Sequence, residues 1–253
     1  MLEINKIYNE DCLEGMKKID DKSIDLICCD LPYGVLNRSS NGGRWDNIIP
    51  IDKLWEQYER IIKDNGVIVL FAQGMFTAKL MLSNEDMWRY NLIWEKDRPT
   101  GFLSAKKMPM RSHEDILVFY KNWGCYNPQM VYDPEHRNHT RDKSTKCTNN
   151  CYGDFARVDE TITDYKYPRS VIKVNKEHLC NDEHHPTQKP VELIEWLVKT
   201  YSNEGDLVLD NCMGSGTTAI ACMNTNRNYI GFEIMEEYCK IAKQRIRKNK
   251  RLF

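Results

Sequence analysis

Short apolar segments alternate with amphipathic segments along most of this chain, and this alternation constrains the fold more than any other feature. The runs IDLICC (residues 24–29) and VIVLFA (67–72) are typical of strands buried on both faces of a parallel sheet. Between them, Leu54, Tyr58, Ile61 and Ile62 share one helical face, with Asp52 as the expected N-cap and DNG (64–66) as the expected end. Strands separated by helices predict a doubly wound, mostly parallel α/β sheet.

The pattern is interrupted once. Further strands are predicted at 4–8, 91–94, 116–120, 207–209 and 229–232, and helices from 190, from about 217 and over 236–248. From 121 to 184 the apolar periodicity fades, while Asn, Asp, Thr, Arg, Pro and His dominate. We therefore predict three parts: residues 1–120, an irregular insert at 121–184, and residues 185–253.

Composition excludes several classes of protein. The N-terminus MLEINKIYNE carries charges from its third residue, and the longest apolar run is far too short to span a bilayer. Several of the ten cysteines lie in strand or helix patterns, which indicates reduced thiols. We expect a soluble, cytoplasmic protein without membrane contact. The formal net charge of −1 means that any nucleic-acid contact must come from local basic patches.

A Gly-rich turn marks a candidate ligand site. In VLDNCMGSGTTAIA (208–221), Asp210 ends a predicted strand, Gly214 and Gly216 follow, and a helix begins. Glycines allow a ligand to approach the backbone, and Glu233, at the end of the next strand, can hold ribose hydroxyls. The spacing is neither a dinucleotide fingerprint nor a P-loop. It indicates a site for an adenosine-containing cofactor, although a purely structural turn has the same appearance.

Three motifs in a fixed order carry a family resemblance. DLPY (30–33), HPTQKP (185–190) and GSGTT (214–218) together resemble the β-class DNA amino-methyltransferases, which use S-adenosylmethionine. The likeness spans the chain apart from the insert, and it implies a Rossmann-like methyltransferase sheet in circularly permuted order, with a catalytic half at 1–120, a target-recognition region at 121–184 and a cofactor-binding half at 185–253. The opening IYNEDCLEGM also matches the family. The implied cofactor-binding residues are Asp11, Thr187, Lys189, Asp210, Gly214, Ser215, Gly216, Thr217 and Glu233.

The same resemblance assigns catalysis to residues 30–33. Asp30 and the Leu31 carbonyl would accept hydrogen bonds from an exocyclic amine, Pro32 would fix the backbone, and Tyr33 would stack on a flipped base. An acid-first motif points to adenine N6, with cytosine N4 as the alternative. Two departures, Leu31 for proline and Asn211–Cys212 for Pro-Phe, leave open a non-catalytic DNA-binding protein on this scaffold. Methylation of RNA or of a small metabolite is disfavoured by the basic insert.

Double-stranded DNA is the implied partner, and basic residues in two segments are candidates for phosphate contacts. An ordinary solvated basic surface would look similar. The insert also holds His136, His139, Cys147 and Cys151, but their spacing does not match a common zinc finger, and we expect no metal. A homodimer and a companion restriction enzyme are further expectations from the family, without independent support. The DNA-contact candidates are Lys106, Lys107, Arg111, Arg137, Arg141, Lys143 and Lys146.

Overall fold

The computed structural model describes residues 2–35, 46–134, 148–149, 153–154, 164–175 and 188–249. The chain forms two compact units, one from Met1–Asn127 with Ser170–Phe253, the other from Pro128–Arg169. The strands, in chain order, are β1 Lys6–Tyr8, β2 Ile24–Asp30, β3 Ile62–Ala72, β4 Trp88–Thr100, β5 Arg111–Phe119, β6 Val131–Tyr132, β7 Thr148–Asn149, β8 Gly153–Asp154, β9 Tyr165–Lys166, β10 Val171–Lys173, β11 Leu207–Asp210 and β12 Asn228–Phe232. The helices are α1 Cys12–Met16, α2 Ile51–Ile61, α3 Met75–Ser83, α4 Val191–Tyr201, α5 Thr217–Asn224 and α6 Glu236–Asn249, with a 3₁₀ turn at Phe102–Ser104.

The first unit is built on an eight-stranded sheet of order β1-β12-β11-β2-β3-β5-β4-β10. Its strands pair in parallel except for β5, which is antiparallel to both β3 and β4. This arrangement confirms the predicted mostly parallel α/β sheet. The last strands of the chain, β11 and β12, lie between β1 and β2, so the N- and C-terminal segments together build one side of the sheet.

Helices cover both faces of this sheet. Along β2, Leu26 and Cys28 belong to one buried apolar cluster, while Ile27 and Cys29 belong to another. The first cluster includes residues of α4, α5 and α6, and the second includes residues of α1, α2 and α3. Because successive strand side chains point to opposite faces, an uninterrupted apolar strand is what a sheet covered on both faces requires.

The structure corrects the prediction at both ends of α2. Pro50, not Asp52, is the N-cap, and Asp52 lies in the first turn, where a negative charge suits the helix dipole. Ile62, predicted on the helical face, is extended and begins β3, because it pairs with Ile24 of β2. The DNG sequence therefore lies inside β3. A Cβ atom on Gly66 would lie 2.7 Å from the Ile62 side chain, so glycine is needed there for close packing.

Helix α3 was not predicted at all. Its apolar residues do not follow a simple helical stripe, and Phe76 and Leu80 are buried while Met75 and Leu82 are exposed. Within the described part of the chain, no helix is both long and apolar enough to cross a membrane. The cysteines described in the structure are free thiols, as the composition indicated: Cys12, Cys28, Cys29, Cys125, Cys212, Cys222 and Cys239.

The second unit contains two short antiparallel ladders. Strand β6 pairs with β9, where the Tyr132 and Tyr165 ring centroids are 5.4 Å apart and Lys166 Nζ lies 2.8 Å from Asp133 Oδ2. Strand β7 pairs with β8. The unit falls within the predicted insert, whereas β10, also within that range, joins the main sheet beside β4. The functional partition at 1–120, 121–184 and 185–253 stays a prediction.

Candidate active site

A cavity of about 670 Å³ opens at the carboxyl edge of the main sheet. Parallel strands bring their carboxyl ends to one edge, so β2, β11 and β12 deliver Asp30, Asp210 and Glu233 to a single place. Asp11, which follows β1, joins them. The sequence predicted these residues for one site, and the structure brings them together. Of the predicted residues, the cavity lining includes Asp11, Asp30, Leu31, Pro32, Tyr33, Lys189, Asp210, Gly214, Ser215, Thr217 and Glu233.

The Gly-rich turn between β11 and α5 needs its glycines for conformation and for space. Gly216 is the N-cap of α5 with φ +84°, and a Cβ atom on it would lie 2.9 Å from Ala242 Cβ of α6. Gly214 has φ +53°, and a Cβ atom on it would lie 3.9 Å from the Cys212 carbonyl oxygen, so its conformation rather than crowding favours glycine. Its backbone N–H donates to Glu233 Oε2 at 2.8 Å, while Glu233 Oε1 accepts from the Met235 N–H at 2.8 Å. Glu233 therefore fixes the turn as well as lining the cavity.

Asp210 is buried and accepts hydrogen bonds from two residues of the same turn and helix. Its Oδ1 accepts from the Cys212 N–H at 3.0 Å, and its Oδ2 accepts from the Thr218 hydroxyl at 2.6 Å. Burial raises the pKa of Asp210 to about 6, although these hydrogen bonds act against the shift. Burial likewise raises the pKa of Glu233. Both carboxylates are thus held in place by the protein itself.

Polar contacts tie the helix N-terminus to α6 and to the segment before α4. Arg245 Nη1 donates to the Ser215 carbonyl at 2.7 Å and to the Thr217 hydroxyl at 3.3 Å. The Ser215 hydroxyl donates to Gln188 Oε1 at 2.8 Å. Both Ser215 and Thr217 are buried. Arg245 belongs to no motif, and Gln188, although it lies inside HPTQKP, was not among the predicted cofactor-binding residues.

Asp11 has a local structural role beside its place in the cavity. It is the N-cap of α1, and its Oδ1 accepts from the backbone N–H groups of Leu13 at 2.8 Å and Glu14 at 3.3 Å. A cap of this kind stabilises a helix end by roughly 1 kcal/mol. The capping contacts use Oδ1 and anchor the carboxylate at the cavity wall.

Asp30 is the first residue of the predicted catalytic segment, and each of its carboxylate oxygens has a partner. Tyr33 Oη donates to Asp30 Oδ1 at 2.8 Å, and Lys189 Nζ forms an ion pair with Asp30 Oδ2. The Tyr33 ring packs on Phe76 with 5.2 Å between centroids. Burial raises the pKa of Asp30, although the ammonium of Lys189 opposes that rise. HPTQKP thus contributes a cation to the DLPY motif.

Glu114 of β5 joins the same group of charges. Its Oε1 accepts from Lys96 of β4, and its Oε2 lies 3.4 Å from Lys189 Nζ. Burial acts to raise the pKa of Glu114, but Lys189 and Lys96 outweigh it and hold that pKa below its usual range. The lysine stems are deeply buried: the Lys96 side chain is 2% exposed and that of Lys189 8%.

The pairing of β4 with β5 brings Lys96 and Glu114 together, and Lys189 joins them to Asp30. Trp94 and Glu114 are partners in the β4–β5 ladder, and Lys96 follows two residues later on the same face of β4. Burial acts to lower the pKa of Lys189, yet Asp30 and Glu114 outweigh it and raise that pKa. Two lysines thus balance two carboxylates in a buried network. We define the Asp30 network as Asp30, Tyr33, Glu114, Lys96 and Lys189.

The predicted DNA contacts divide into two groups. Lys106 and Lys107 are exposed in the excursion that follows the carboxyl end of β4, and Arg111 is exposed at the start of β5. Thr100, at the end of β4, lines the cavity. No metal-binding cluster occurs among the residues that the structure describes. Outside those residues lie Thr187, the basic residues Arg137, Arg141, Lys143 and Lys146, and the candidate ligands His136, His139, Cys147 and Cys151.

Several site residues escaped the sequence analysis. Asp46 is 2% exposed and accepts from the Gly34 N–H at 2.9 Å, although it belongs to no motif. Asn211, one of the two departures from the family pattern, accepts a hydrogen bond from Tyr58 Oη at 2.5 Å. That contact gives Asn211 a structural role in this chain. Glu114 lies in the segment RSHEDILVFYK (111–121), two residues before the apolar run of β5, and outside the three motifs that define the predicted site.

Three carboxylates at strand ends, a Gly-rich turn and an acid–lysine network thus line one cavity. Comparison with known proteins gives the family: the DNA methylase model N6_N4_Mtase matches residues 24–244. The chain belongs to this family of S-adenosylmethionine-dependent DNA amino-methyltransferases, as the three motifs predicted.

Curated relatives agree along nearly the whole chain. Type II methyltransferase M.HpaI of Haemophilus parainfluenzae is 29% identical over 95% of this chain and 74% of its own length. Type II methyltransferase M.HinfI of Haemophilus influenzae is 28% identical over 98% of this chain and 69% of its own length. DNA adenine methyltransferase YhdJ of Escherichia coli (strain K12) is 27% identical over 96% and 83%, respectively.

Solved structures agree on the fold. The M1.HpyAVI–SAM complex superposes with a TM-score of 0.62 at 24% identity, covering 95% of this chain and 98% of that one. The cytosine-N4-specific PvuII DNA methyltransferase gives a TM-score of 0.67 at 16% identity, covering 98% and 90%. The Rossmann-like methyltransferase fold is confirmed.

Proposed function

We propose that this chain is an adenine-N6 methyltransferase of double-stranded DNA, and that the target adenine is flipped into the cavity beside Asp30. One observation carries the proposal: the Gly-rich turn and the DLPY segment line the same cavity of about 670 Å³. A cofactor at Gly214 and Glu233 and a base at Asp30 and Tyr33 would therefore share one enclosed space. Base flipping is required because the exocyclic amine is unreachable within a duplex.

The residues at the Gly-rich turn fit S-adenosylmethionine. Gly214 lines the cavity, and because it has no side chain a ligand can approach the backbone closely there. Glu233 and Asp11 offer carboxylate acceptors for ribose hydroxyls and a purine amine, with apolar wall from Met213 and Ile234. When bound, the cofactor supplies an electrophilic methyl group on a sulfonium. The roles of Asp11, Thr187, Lys189, Asp210, Ser215, Gly216 and Thr217 in holding it belong to this proposal.

The chemistry falls to the DLPY segment. An exocyclic amine is a weak nucleophile because its lone pair is delocalised into the base. Hydrogen bonds from the amine to Asp30 and to the Leu31 carbonyl would localise that pair, and the Asp30 carboxylate would then accept the excess proton from the methylated nitrogen. Pro32 fixes the backbone φ that aims both acceptors. A partly buried carboxylate with a raised pKa is a better proton acceptor than a fully solvated one, which suits Asp30 to this task.

Tyr33 is held in place by contacts with two other side chains, so it is more than a ring on which a base can stack. Its ring rests on Phe76, and its hydroxyl is tied to Asp30. A ring held at both ends is preorganised, so a base could stack on it without ordering a mobile side chain. We therefore propose that Tyr33 both supports the flipped base and fixes the Asp30 carboxylate.

Adenine is favoured over cytosine by the acid-first motif, and the name of the relative YhdJ is consistent with this choice. The cytosine-N4-specific structural neighbour keeps cytosine N4 as the second candidate. We assign the contacts with duplex DNA to two groups of basic residues. Lys106, Lys107 and Arg111 follow Thr100, which lines the cavity, and the other group lies in the insert. A homodimer and a companion restriction enzyme stay predictions.

The product nucleoside tests the proposal. Purified protein is incubated with duplex DNA and isotopically labelled S-adenosylmethionine, and the DNA is then digested to nucleosides. We expect label in N6-methyladenine, and none with the Asp30→Ala variant. Label in N4-methylcytosine would overturn the base assignment, and cofactor binding without transfer to any duplex would identify a non-catalytic binder.

A further inference from the structure

The acceptor of the proposed reaction is already occupied. Tyr33 Oη holds Asp30 Oδ1, and Lys189 Nζ holds Asp30 Oδ2. An incoming amine must therefore compete with a buried ammonium group. In a poorly hydrated site an ion pair between full charges is stronger than a hydrogen bond from a neutral amine. Each Asp30 oxygen still has a lone pair for a further hydrogen bond, but the Lys189 ammonium weakens the carboxylate as an acceptor for the amine proton.

Glu114 offers Lys189 a second acceptor. Glu114 Oε2 lies 3.4 Å from Lys189 Nζ, just beyond ordinary hydrogen-bond length. Among the described residues, this oxygen is the buried side-chain atom without a hydrogen-bond partner. A buried acceptor without a hydrogen bond is destabilising, and more so when the group is charged. A small rotation of the lysine would satisfy it.

Glu114 itself is held still. Lys96, whose side chain is 2% exposed, forms an ion pair with Glu114 Oε1 and lies 5.1 Å above the Trp94 ring. The Lys189 ammonium lies 5.1 Å from the Phe71 ring centroid, so an aromatic surface flanks it as well. Two carboxylates thus lie within reach of one lysine ammonium, which is the arrangement that a two-position switch requires.

We propose that Glu114 is a positioning residue that takes over Lys189 when the target base enters, leaving Asp30 Oδ2 free to accept the amine proton. The inference rests on the proposed role of Asp30. No charge leaves the site: Lys189 exchanges one carboxylate partner for another, and the hydrogen bond that Asp30 loses is replaced by one from the amine. Glu114 Oε2, now 3.4 Å from the Lys189 ammonium, gains a close hydrogen bond.

Charge balance predicts how substitutions combine. With Glu114→Gln, Asp30 alone faces two buried ammonium groups, so Lys189 stays on Asp30 and transfer slows. Adding Lys189→Met to that variant leaves one cation and one anion and vacates Asp30. If the lysine is the obstacle, the second substitution restores part of the rate that the first removed. A purely structural role for Glu114 predicts that the two losses multiply.

The test is a double-mutant cycle of single-turnover methyl transfer at saturating cofactor and DNA, with folding checked by circular dichroism at the assay temperature. We expect Glu114→Gln to slow transfer by about tenfold or more, and the double variant to transfer faster than Glu114→Gln alone. The acid limb of the double variant's pH–rate profile should move to higher pH, because Asp30 loses the Lys189 cation that opposes its raised pKa.

Other outcomes overturn the inference. A wild-type rate for Glu114→Gln, or losses that multiply in the double variant, would remove Glu114 from this role. If Glu114→Gln does not fold, Glu114→Asp keeps the charge but withdraws it by one methylene, and an undiminished rate in that variant would count equally against the switch. Asp30→Ala is measured in parallel: activity in that variant would defeat the proposed function itself, whereas its inactivity beside a fully active Glu114→Gln defeats only the switch.

Discussion

Replacing Gly216 by alanine tests the account of the Gly-rich turn, and Gly205 provides a matched control. The two glycines have nearly the same backbone conformation, φ +84° and +85°. A side chain on Gly205 would meet nothing within 4 Å, whereas one on Gly216 would lie 2.9 Å from Ala242 Cβ. The pair therefore separates the cost of conformation from the cost of packing.

The magnitudes follow from these two differences. A left-handed conformation costs a residue with a side chain about 1–2 kcal/mol, which both variants lose from the free energy of unfolding. Overpacking adds about 1–3 kcal/mol at Gly216 alone, because Ala242 is itself buried in α6 and its backbone cannot move freely. Gly216→Ala should thus lose about 2–5 kcal/mol, and Gly205→Ala about 1–2 kcal/mol.

Urea denaturation of both variants measures these losses, and calorimetric titration with S-adenosylmethionine measures the functional consequence. Moving the N-terminus of α5 displaces the cavity wall, so we expect weaker cofactor binding in Gly216→Ala and unchanged binding in Gly205→Ala. Equal losses of stability, or equal cofactor affinities, would refute the argument that Gly216 is required by its contact with α6.

Three further predictions concern other parts of the molecule. The pKa of Asp210 is raised to about 6 in the folded protein from an ordinary 3.8, so the folded state binds this proton more tightly than the unfolded state does. The free energy of unfolding should therefore fall by up to about 3 kcal/mol as the pH rises from about 4 to about 6. In urea titrations across this window, Asp210→Asn should not show this part of the fall. Replacing Lys106 and Lys107 by glutamine should weaken DNA binding for all sequences and reduce the salt slope by about 2 in fluorescence anisotropy, whereas Lys22→Gln, at the opposite edge of the sheet, should leave the slope unchanged. Tyr58→Phe should cost about 1–3 kcal/mol of unfolding free energy, because a buried amide oxygen loses its donor; no loss would deny that contact a stabilising role.

The positions of most strands of the main sheet could be predicted because buried parallel strands leave continuous apolar runs in the sequence. The end of α2 could not, since Ile62 fits a helical face equally well and is recruited to β3 by its pairing with Ile24. Helix α3 was missed for a related reason: tertiary packing of Phe76 and Leu80 defines it, not a periodic pattern.

In the candidate site, too, some features could be predicted from the sequence and others could not. Asp30, Lys189, Gly214 and Glu233 could be named because they stand in compact motifs at the ends of predicted strands. The ion pair between Lys189 and Asp30 could not, since 159 positions separate the two residues. Glu114 likewise depends on the β4–β5 register, which places it opposite Trp94. Sequence motifs locate a site, but the contacts within it come from the pairing of distant strands.

The central claim is that methyl transfer depends on the Asp30 carboxylate while cofactor binding does not. Single-turnover transfer to duplex DNA and the dissociation constant of S-adenosylmethionine, both measured for Asp30→Asn, test it most directly. The account predicts a transfer rate reduced by about 10²–10³-fold with a cofactor dissociation constant changed by less than about threefold. Transfer near the wild-type rate would contradict it, and so would a loss of cofactor binding that by itself explains the loss of transfer.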